Sequence, residues 1–426
     1  MVEEAARELD SRLLTAAHFL ALGAEVWVGQ QLWLSRNFDR LRPGVVLFKG
    51  NNTPQVVSMR LARNNGHRTA SLEEEIFGLI ELSGKQLYDS RVTRYCELFL
   101  AQSCIHWAFL QRALGVHPDR VQLTGNPRAD LLRGSLLNLA ADGAEKIARR
   151  YGKFVLINTN FGAINPYETD TYGYFRRCVA LKAFDPKSTE SMERFHALCA
   201  FERRNLGAIA TFIAALKRLD KACRIVLRPH PAENSHNWHD RYAEDPNVSV
   251  VDDSSHLSWI KASQCLVHTS CTTGLEGHLM GKHVVSLVPD PNGEWTLRYA
   301  SNLVGERHRD PVAAARLIAG GLETLGVVAE NRELASHLHL ERERTAAEHV
   351  VGALSTLSVG IAEFRAEKSH FRPFVANDRQ AAQMGVHVDE VTSRYRRIAE
   401  AAGLSVGSRI DDVAANVFRF RPTGLV

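Results

Sequence analysis

Basic and imidazole side chains stand together in the second half of the chain, where an apolar run ends. Residues 225–227 are apolar, and Arg228-Pro229-His230-Pro231 follows them directly. The two prolines fix the backbone around His230. The ring and the Arg228 guanidinium could then be held as donors to a phosphate oxygen. A proline-stiffened turn, in which His230 only satisfies a backbone group, would explain the same residues.

A second, hydroxyl-rich segment follows the apolar run 265–267 and spans residues 268–274, with the sequence His-Thr-Ser-Cys-Thr-Thr-Gly. A helix is predicted to begin near Thr272. Unpaired N–H groups at a helix start bind anions. Ordinary capping of a helix by Ser or Thr is the alternative. The residues predicted to bind a ligand here are Ser270, Thr272, Thr273 and Gly274. Glu276, one turn further, could accept hydrogen bonds from ribose hydroxyls.

The spacing of these two segments supports a shared phosphate site. Each follows a predicted strand, and one strand-helix unit separates them. Together they therefore predict a phosphate site more strongly than either does alone. Asp252 follows the intervening strand, at the level where a nucleotide base and ribose would lie, although a solvated turn explains it equally well.

In the first half, three adjacent carboxylates, Glu73, Glu74 and Glu75, follow a predicted strand. Mutual repulsion can raise the pKa of one of them and suit it to proton transfer. A carboxylate could also attack an anomeric carbon. The simpler explanation from the spacing alone is the acidic first turn of a helix, which the helix dipole favours.

Short apolar strands alternate with helices along both halves, which predicts an α/β fold of two doubly wound, mostly parallel sheets. We expect domains at 1–140 and 153–345, a polar linker near 138–152, and a helical extension over 346–426. Ligands of such sheets bind outside the carboxyl ends of the strands, here in a cleft between the domains.

The composition narrows the function classes. A net charge of +4 over 426 residues is too small for a nucleic-acid-binding surface. Seven cysteines without a Cys-x-x-Cys spacing make disulfides or structural zinc unexpected. No apolar run approaches a membrane span. We expect a cytoplasmic protein, with peripheral association at the inner membrane left open, and neither a catalytic metal nor a cofactor.

Six segments resemble, in order, the bacterial surface-carbohydrate biosynthesis proteins, a GT-B-like family, and more distantly the transferases that use CMP-Kdo or CMP-sialic acid. The matching segments are 6–14, 72–75, 124–128, 156–161, 228–233 and 268–276. The resemblance implies two Rossmann-type domains facing a cleft. It assigns phosphate contact to His230, the hydroxyl pair to Ser270 with Thr272 or Thr273, and the catalytic carboxylate to Glu74 or Glu73.

The acidic segment departs from the family. The family motif reads Asp-Glu-Glu-Gly, whereas Glu73-Glu74-Glu75-Ile76 stands here. Because the glycine is lost, the turn changes, and which glutamate points into the cleft stays open.

The function that the resemblance implies is a metal-independent glycosyltransferase that builds a bacterial surface glycan. The donor would be a nucleotide-activated sugar, with CMP-activated Kdo or a nonulosonic acid favoured, and the acceptor a glycan, glycoprotein or glycolipid. Arg228, His230, Pro231 and the 270–274 turn would hold the departing phosphate. A CDP-polyol phosphotransferase, a sugar-nucleotide epimerase and a non-catalytic nucleotide-sugar-binding scaffold are the alternatives.

Overall fold

The chain forms two compact units. Unit 1 comprises residues 1–77, 82–139 and 335–426, and unit 2 comprises 78–81 and 140–334. The computed structural model describes residues 1–79, 88–167, 169–181, 183–253, 256–321, 333–358, 367–368, 370–377, 380–381, 384–404 and 407–423.

The strands are short, as the apolar runs predicted. They are β1 (Val26–Gly29), β2 (Val45–Phe48), β3 (Arg68–Leu72), β4 (Leu98–Ala101), β5 (Val121–Leu123), β6 (Val155–Asn158), β7 (Ile225–Arg228), β8 (Val248–Val250), β9 (Cys265–His268), β10 (His283–Leu287), β11 (Glu306–His308), β12 (Ser408–Ala414) and β13 (Val417–Pro422).

The helices within the described ranges connect these strands or cover the sheets. They are α1 (Asp10–Ala21), α2 (Gln31–Arg36), α3 (Thr53–Asn64), α4 (Val92–Tyr95), α5 (Cys104–Arg112), α6 (Pro127–Asp130), α7 (Ala141–Tyr151), α8 (Thr171–Ala180), α9 (Thr189–Leu219), α10 (His236–Tyr242), α11 (His256–Ala262), α12 (Thr272–Leu279), α13 (Pro311–Ala319), α14 (Leu334–His337), α15 (Ala346–Ser358) and α16 (Val388–Ala401). A π-helical turn, Ala5–Leu9, leads into α1. Among the residues that the structure describes, no helix is long and apolar enough to cross a membrane.

Unit 1 is built on a four-stranded parallel sheet in the order β2-β3-β4-β5. Because consecutive strands are neighbours throughout, right-handed connections place their helices on one face. The other face is covered by α15, whose Val350 and Leu354 pack with Leu72 and Leu100. The second face is thus closed by a helix from the end of the chain.

The residues after 334 belong to unit 1, which differs from the predicted separate helical extension over 346–426. Besides α15, helix α16 packs on α1 through Val391 and Tyr395. Residues 408–422 are not helical: β12 and β13 form an antiparallel hairpin, and β13 pairs with β1. Phe418 and Phe420 of the hairpin are fully buried, which explains why this segment joins the core. The linker predicted near 138–152 is instead largely helix α7.

Unit 2 is built on a six-stranded parallel sheet in the order β11-β10-β9-β6-β7-β8. Counted along the chain, this is the 3-2-1-4-5-6 order of a doubly wound dinucleotide-binding sheet. The strand order reverses between β6 and β9, so the topological switch point lies at their carboxyl ends. The predicted α/β class with parallel Rossmann-like sheets and helices is confirmed.

Candidate functional site

Four adjacent strands of the unit 2 sheet carry a row of buried polar side chains across its carboxyl edge. Asn158 is in register with Arg228 on one side and with His268 on the other, and His268 is in register with Ser286. Side chains at paired positions of parallel strands point to the same face. Their exposed fractions are 7% for Arg228, 2% for Asn158, and 0% for His268 and Ser286. The row crosses the switch point.

His268 is a structural anchor of this row. The backbone N–H of Cys271 donates to Nδ1 at 3.4 Å, so the neutral ring carries its proton on Nε2, 2.8 Å from the Ser286 hydroxyl oxygen. That hydroxyl donates in turn to the Val304 carbonyl at 2.9 Å. Burial lowers the pKa of His268 to about 3, so the ring stays neutral. It therefore holds the turn that follows β9.

Ser270 occupies a strained position in that turn. Its φ of 55° lies in the left-handed region, which costs a non-glycine residue about 1–2 kcal/mol. The conformation is held from two sides: the Asn302 side-chain amide donates to Ser270 Oγ at 2.8 Å, and the Asn160 amide donates to the Ser270 carbonyl at 3.4 Å. Strain of this kind clusters at ligand sites.

Helix α12 begins directly after the turn, where the sequence predicted it. Thr272 and Thr273 are half-buried in its first turn, and the Thr273 hydroxyl donates to Cys271 Sγ at 3.1 Å. Gly274 packs against the His268 ring, where a Cβ atom would overlap the imidazole. The predicted hydroxyl groups and the anchor are thus brought to one strand end.

Several buried polar atoms at this edge have no hydrogen-bond partner among the described residues. They are both side-chain amide atoms of Asn158, the Thr269 hydroxyl and Nε of Arg228. Buried polar groups are almost always paired, and an unpaired one costs about 1–3 kcal/mol. Because these atoms lie at the carboxyl ends of β6 and β7 and directly after β9, they mark a place beside the switch point where a polar ligand would complete the hydrogen bonding.

Arg228 is fixed by the loop after β8. Its guanidinium donates to the Asp253 carbonyl, and Nε lies 3.9 Å from the Asp253 carboxylate. Burial lowers its pKa, yet a guanidinium remains charged. The predicted Asp252 lies beside this pair, is exposed, and accepts from the Ser235 hydroxyl at 3.1 Å. Asp253, the next residue of the same predicted segment, is therefore the acidic partner of Arg228.

His230 lies exposed in a turn that a buried carboxylate organises. Its Nδ1 accepts from the Ala232 N–H at 3.1 Å, which leaves Nε2 as the protonated nitrogen of the neutral ring. Its own N–H donates to Glu233 at 3.0 Å. Glu233 also accepts from the Thr159 hydroxyl at 2.6 Å and from Trp238 Nε1 at 3.0 Å. Burial raises the pKa of Glu233. This residue fastens the His230 turn to the loop after β6.

Two further predicted ligands differ in exposure. Pro231 is exposed beside His230. Glu276 is 3% exposed, and its carboxylate lies 3.2 Å from His256 Nε2. The predicted role of Glu276 as a ribose acceptor stays a prediction, now with His256 beside it.

A cavity of about 470 Å³ in unit 2 adjoins the Ser270 turn through Asn302, which lines it and bonds to Ser270. This volume falls within the usual range for small-molecule pockets. The lining combines apolar, hydroxyl and basic side chains; the other lining residues are Val288, Pro291, Thr296, Leu297, Tyr299, Leu303, Arg307, His308, Arg309 and Glu333.

The acidic segment belongs to unit 1 and follows β3. Glu74–Ile76 forms a single 3-10 turn, so the acidic turn expected from the spacing is present in short form. Glu74 is 2% exposed, lies 3.0 Å from the Arg12 guanidinium and accepts from the Asn126 amide at 3.3 Å. Its charge is therefore compensated inside the unit.

Glu73 has a different environment. Its carboxylate accepts from the backbone N–H of Asn51 at 2.9 Å and from the Asn51 amide at 3.0 Å, and it is 2% exposed. Burial raises the pKa of Glu73 to about 8. A carboxyl group in this state can hold or release a proton near neutral pH.

Glu75, the exposed member of the three, is held by cations. Its carboxylate lies 2.9 Å from Arg7 and 3.4 Å from Lys49. Burial acts to raise the pKa of Glu75, but these two charges outweigh it and lower the pKa. Lys49 also lies 3.3 Å from the buried Glu8. Glu75 thus belongs to a salt-bridge network.

Sequence reasoning missed the partners of this network. Arg7, Glu8 and Arg12 lie within the matched segment 6–14, but no role was given to them. The sequence gives no signal for these pairings, because Arg7 and Arg12 lie more than 60 residues before the glutamates that they contact. The prediction that the acidic segment and the phosphate site face one cleft stays a prediction.

No family model matches the chain, and no curated protein matches it. Solved structures resemble it in architecture. The UDP-GlcNAc 2-epimerase of Methanocaldococcus jannaschii is 12% identical with a TM-score of 0.46, covering 82% of each chain. The wall teichoic acid polymerase TagF is 12% identical with a TM-score of 0.41, covering 83% of this chain and 95% of that one. HepE of Anabaena, in complex with UDP-glucose, is 12% identical with a TM-score of 0.35, covering 84% and 78%. At these values the likeness assigns no residue and no substrate.

Proposed function

We propose that unit 2 binds the phosphate of a nucleotide-activated sugar and that the protein is a glycosyltransferase. The observation that carries the proposal is the row of buried polar residues at the switch point, with Asn158, Thr269 and Arg228 each keeping an unpaired polar atom. Doubly wound sheets bind nucleotides at this position.

Each part of the edge has a role in this proposal. Arg228 supplies a fixed positive charge, and the His230 imidazole lies in a turn that Glu233 holds. The Ser270 turn and the start of α12 supply backbone and hydroxyl donors, with Gly274 allowing the close packing beneath them. Donors held in place before reaction stabilise the negative charge that develops on a departing phosphate. The adjoining cavity would take the sugar.

For the carboxylate that works on the acceptor or the sugar, we propose Glu73 or Glu74. Glu73 fits proton transfer because its pKa lies at about 8. Glu74 fits a base or nucleophile that Arg12 positions. Glu75 supports them through its ion pairs with Arg7 and Lys49.

The proposal is tested by titrating CMP, CDP, UMP, UDP and GDP into the 426-residue chain in a calorimeter. At least one nucleotide should bind; the sequence resemblance favours CMP. His230→Ala should weaken it about tenfold or more, since a charged hydrogen bond is worth about 1.5–3 kcal/mol. The matched control is His283→Ala, at the amino end of β10 in the same sheet, which should leave affinity unchanged. Equal affinities for both variants would reject the site.

Turnover separates the remaining functions. With the tightest nucleotide identified, its sugar conjugates are incubated with and without glycan acceptors and the products are separated. Transfer to an acceptor supports the glycosyltransferase, a changed sugar on the same nucleotide supports the epimerase, and transfer of a polyol phosphate supports the CDP-polyol enzyme. Tight binding without turnover in any assay would support the scaffold. For the transferase, one of the two variants Glu73→Gln and Glu74→Gln should abolish turnover while nucleotide affinity stays intact, and that variant identifies the working carboxylate.

A further inference from the structure

Three potential metal ligands meet at one place in unit 1, remote in sequence from the motifs discussed above. They are His339 and Glu341, in the segment before α15, and His349, in the first half of α15. One ligand atom from each residue lies within 4.8 Å of the others. His339 Nε2 lies 3.2 Å from one oxygen of Glu341, and His349 Nε2 lies 2.9 Å from the other.

These separations suit a small divalent ion. In a tetrahedral site with bonds of about 2.0–2.2 Å, neighbouring ligand atoms stand roughly 3.3 Å apart. Each imidazole nitrogen already lies near that distance from a carboxylate oxygen, and the three ligand atoms lie within 4.8 Å of one another. Two nitrogen ligands with one carboxylate is a set that Zn²⁺ binds readily, leaving a fourth position for water.

The segment that carries two of the ligands is held in place by its backbone. The His339 N–H donates to the Gln102 carbonyl at 3.0 Å, and Arg133 donates to the Glu341 carbonyl. The His339 carbonyl rests on Gly125, where an added Cβ would approach that oxygen to 2.6 Å. The third ligand, His349, sits on a helix whose next residue, Val350, is fully buried. Both sides of the cluster are therefore positioned before any ion arrives.

The ligand side chains are shielded without being sealed. The exposed fractions are 22% for the His339 side chain, 40% for Glu341 and 18% for His349. An ion could enter from solvent, and the surrounding protein would still limit competition from water. Because the ligands join the segment before α15 to α15 itself, a bound ion would fasten the start of the helix that covers the unit 1 sheet.

We propose that His339, Glu341 and His349 form a binding site for a divalent transition-metal ion of the Zn²⁺ class, whose role is to stabilise unit 1. This site is independent of the phosphate site and of the proposed reaction. Neutral imidazoles and an ionised carboxylate are needed, so binding should weaken as the histidines become protonated.

The test uses the full chain, stripped with a chelator and titrated with ZnCl₂ in a calorimeter and, separately, with CoCl₂ in a spectrophotometer. We expect one ion per chain, the visible d–d bands of tetrahedral Co²⁺, and a higher melting temperature with Zn²⁺. His349→Ala and Glu341→Gln should each lower Zn²⁺ affinity by at least ~100-fold, since even outer-shell changes cost 10–100-fold.

The matched control is His117→Ala. His117 forms a simple exposed pair with Asp119 in the same unit, with 3.4 Å between Nδ1 and the carboxylate. This variant should bind Zn²⁺ as the wild type does. If the wild type shows no Co²⁺ bands and no stoichiometric Zn²⁺ uptake, or if His349→Ala and His117→Ala bind equally, the proposal is wrong. If His349→Ala fails to fold, Glu341→Gln and the wild-type spectrum decide.

Discussion

Gly274 lies directly against the imidazole ring of His268, so that a Cβ atom at position 274 would overlap the ring. This contact joins the start of α12 to the end of β9 and thereby sets the depth of the turn between them. It also explains why the hydroxyl-rich segment ends in glycine. The ring cannot easily retreat, because Cys271 and Ser286 bond to its two nitrogens.

Gly274→Ala should therefore destabilise unit 2 by about 1–3 kcal/mol, as expected for an overpacked core. The comparison is Gly207→Ala in the exposed part of α9, where an added Cβ meets nothing within 4 Å. That variant should be stabilised by about 1 kcal/mol, since alanine favours a helix over glycine. Chemical denaturation measures both. A Gly274→Ala protein as stable as Gly207→Ala would contradict the described packing.

Ser270 offers a test of the strained turn. Ser270→Ala keeps the left-handed residue and loses the bond from Asn302, so it should be destabilised by about 1 kcal/mol. Ser270→Gly loses the same bond but relieves the strain, so it should be more stable than Ser270→Ala by about 1–2 kcal/mol. Denaturation of the two variants side by side measures the difference. The reverse order would show that Ser270 is not left-handed in solution.

Much of unit 2 could be predicted from the sequence because its strands are continuous apolar runs that end in polar residues. The Arg228 and Ser270 segments were found in this way. Asn158 and Ser286 were not, because the sequence does not show which strands are neighbours or how they are registered. The polar row exists only once β6 is placed between β7 and β9.

Unit 1 was harder to predict for a related reason. The helical spacing of apolar residues over 346–358 predicts an apolar face, but it does not show which surface that face packs against. In the structure it packs against the unit 1 sheet, about 250–300 residues earlier in the chain. The residues that contact Glu74 and Glu75 are also distant from them in the sequence. Adjacent glutamates predict repulsion, whereas Arg12 and Lys49, distant in sequence, supply the compensating charges.

Arg12 and Glu74 form a buried pair, with exposed fractions of 5% and 2%. Arg12→Met should cost about 3–5 kcal/mol, because it leaves the carboxylate buried without its cation. Adding Glu74→Gln removes that charge, so the double variant should recover part of the loss. A double-mutant cycle by denaturation measures the coupling. Strict additivity of the two single changes would show that the residues do not interact.

Glu73 should make the stability of unit 1 depend on pH. Its pKa rises from 4.5 to about 8 on folding, so the folded state binds the proton more tightly. Its contribution is therefore fully present below about pH 4.5 and is lost as pH rises through about 8.

Melting temperature measured from pH 5 to pH 8 tests this effect. Glu73→Gln, which cannot ionise, should show a shallower decline than the wild type and be the more stable protein at pH 8. Glu202→Gln is the corresponding variant of unit 2. It is comparable because burial also raises the pKa of Glu202 to about 8. Parallel wild-type and Glu73→Gln curves would mean that Glu73 is already ionised in the folded protein.

The phosphate site is tested most directly by placing a negative charge in the polar row. Asn158→Asp is nearly isosteric and puts a carboxylate between Arg228 and His268. A like charge about 4 Å from a phosphate costs about 4 kcal/mol at an effective dielectric constant of 20. Asn247→Asp, just before β8 at the opposite edge of the sheet, is the matched control. Calorimetric titration of the tightest nucleotide should show at least a ~100-fold loss of affinity for Asn158→Asp and none for Asn247→Asp. A folded Asn158→Asp protein that binds the nucleotide as tightly as the wild type would contradict the assignment of this edge as the phosphate site.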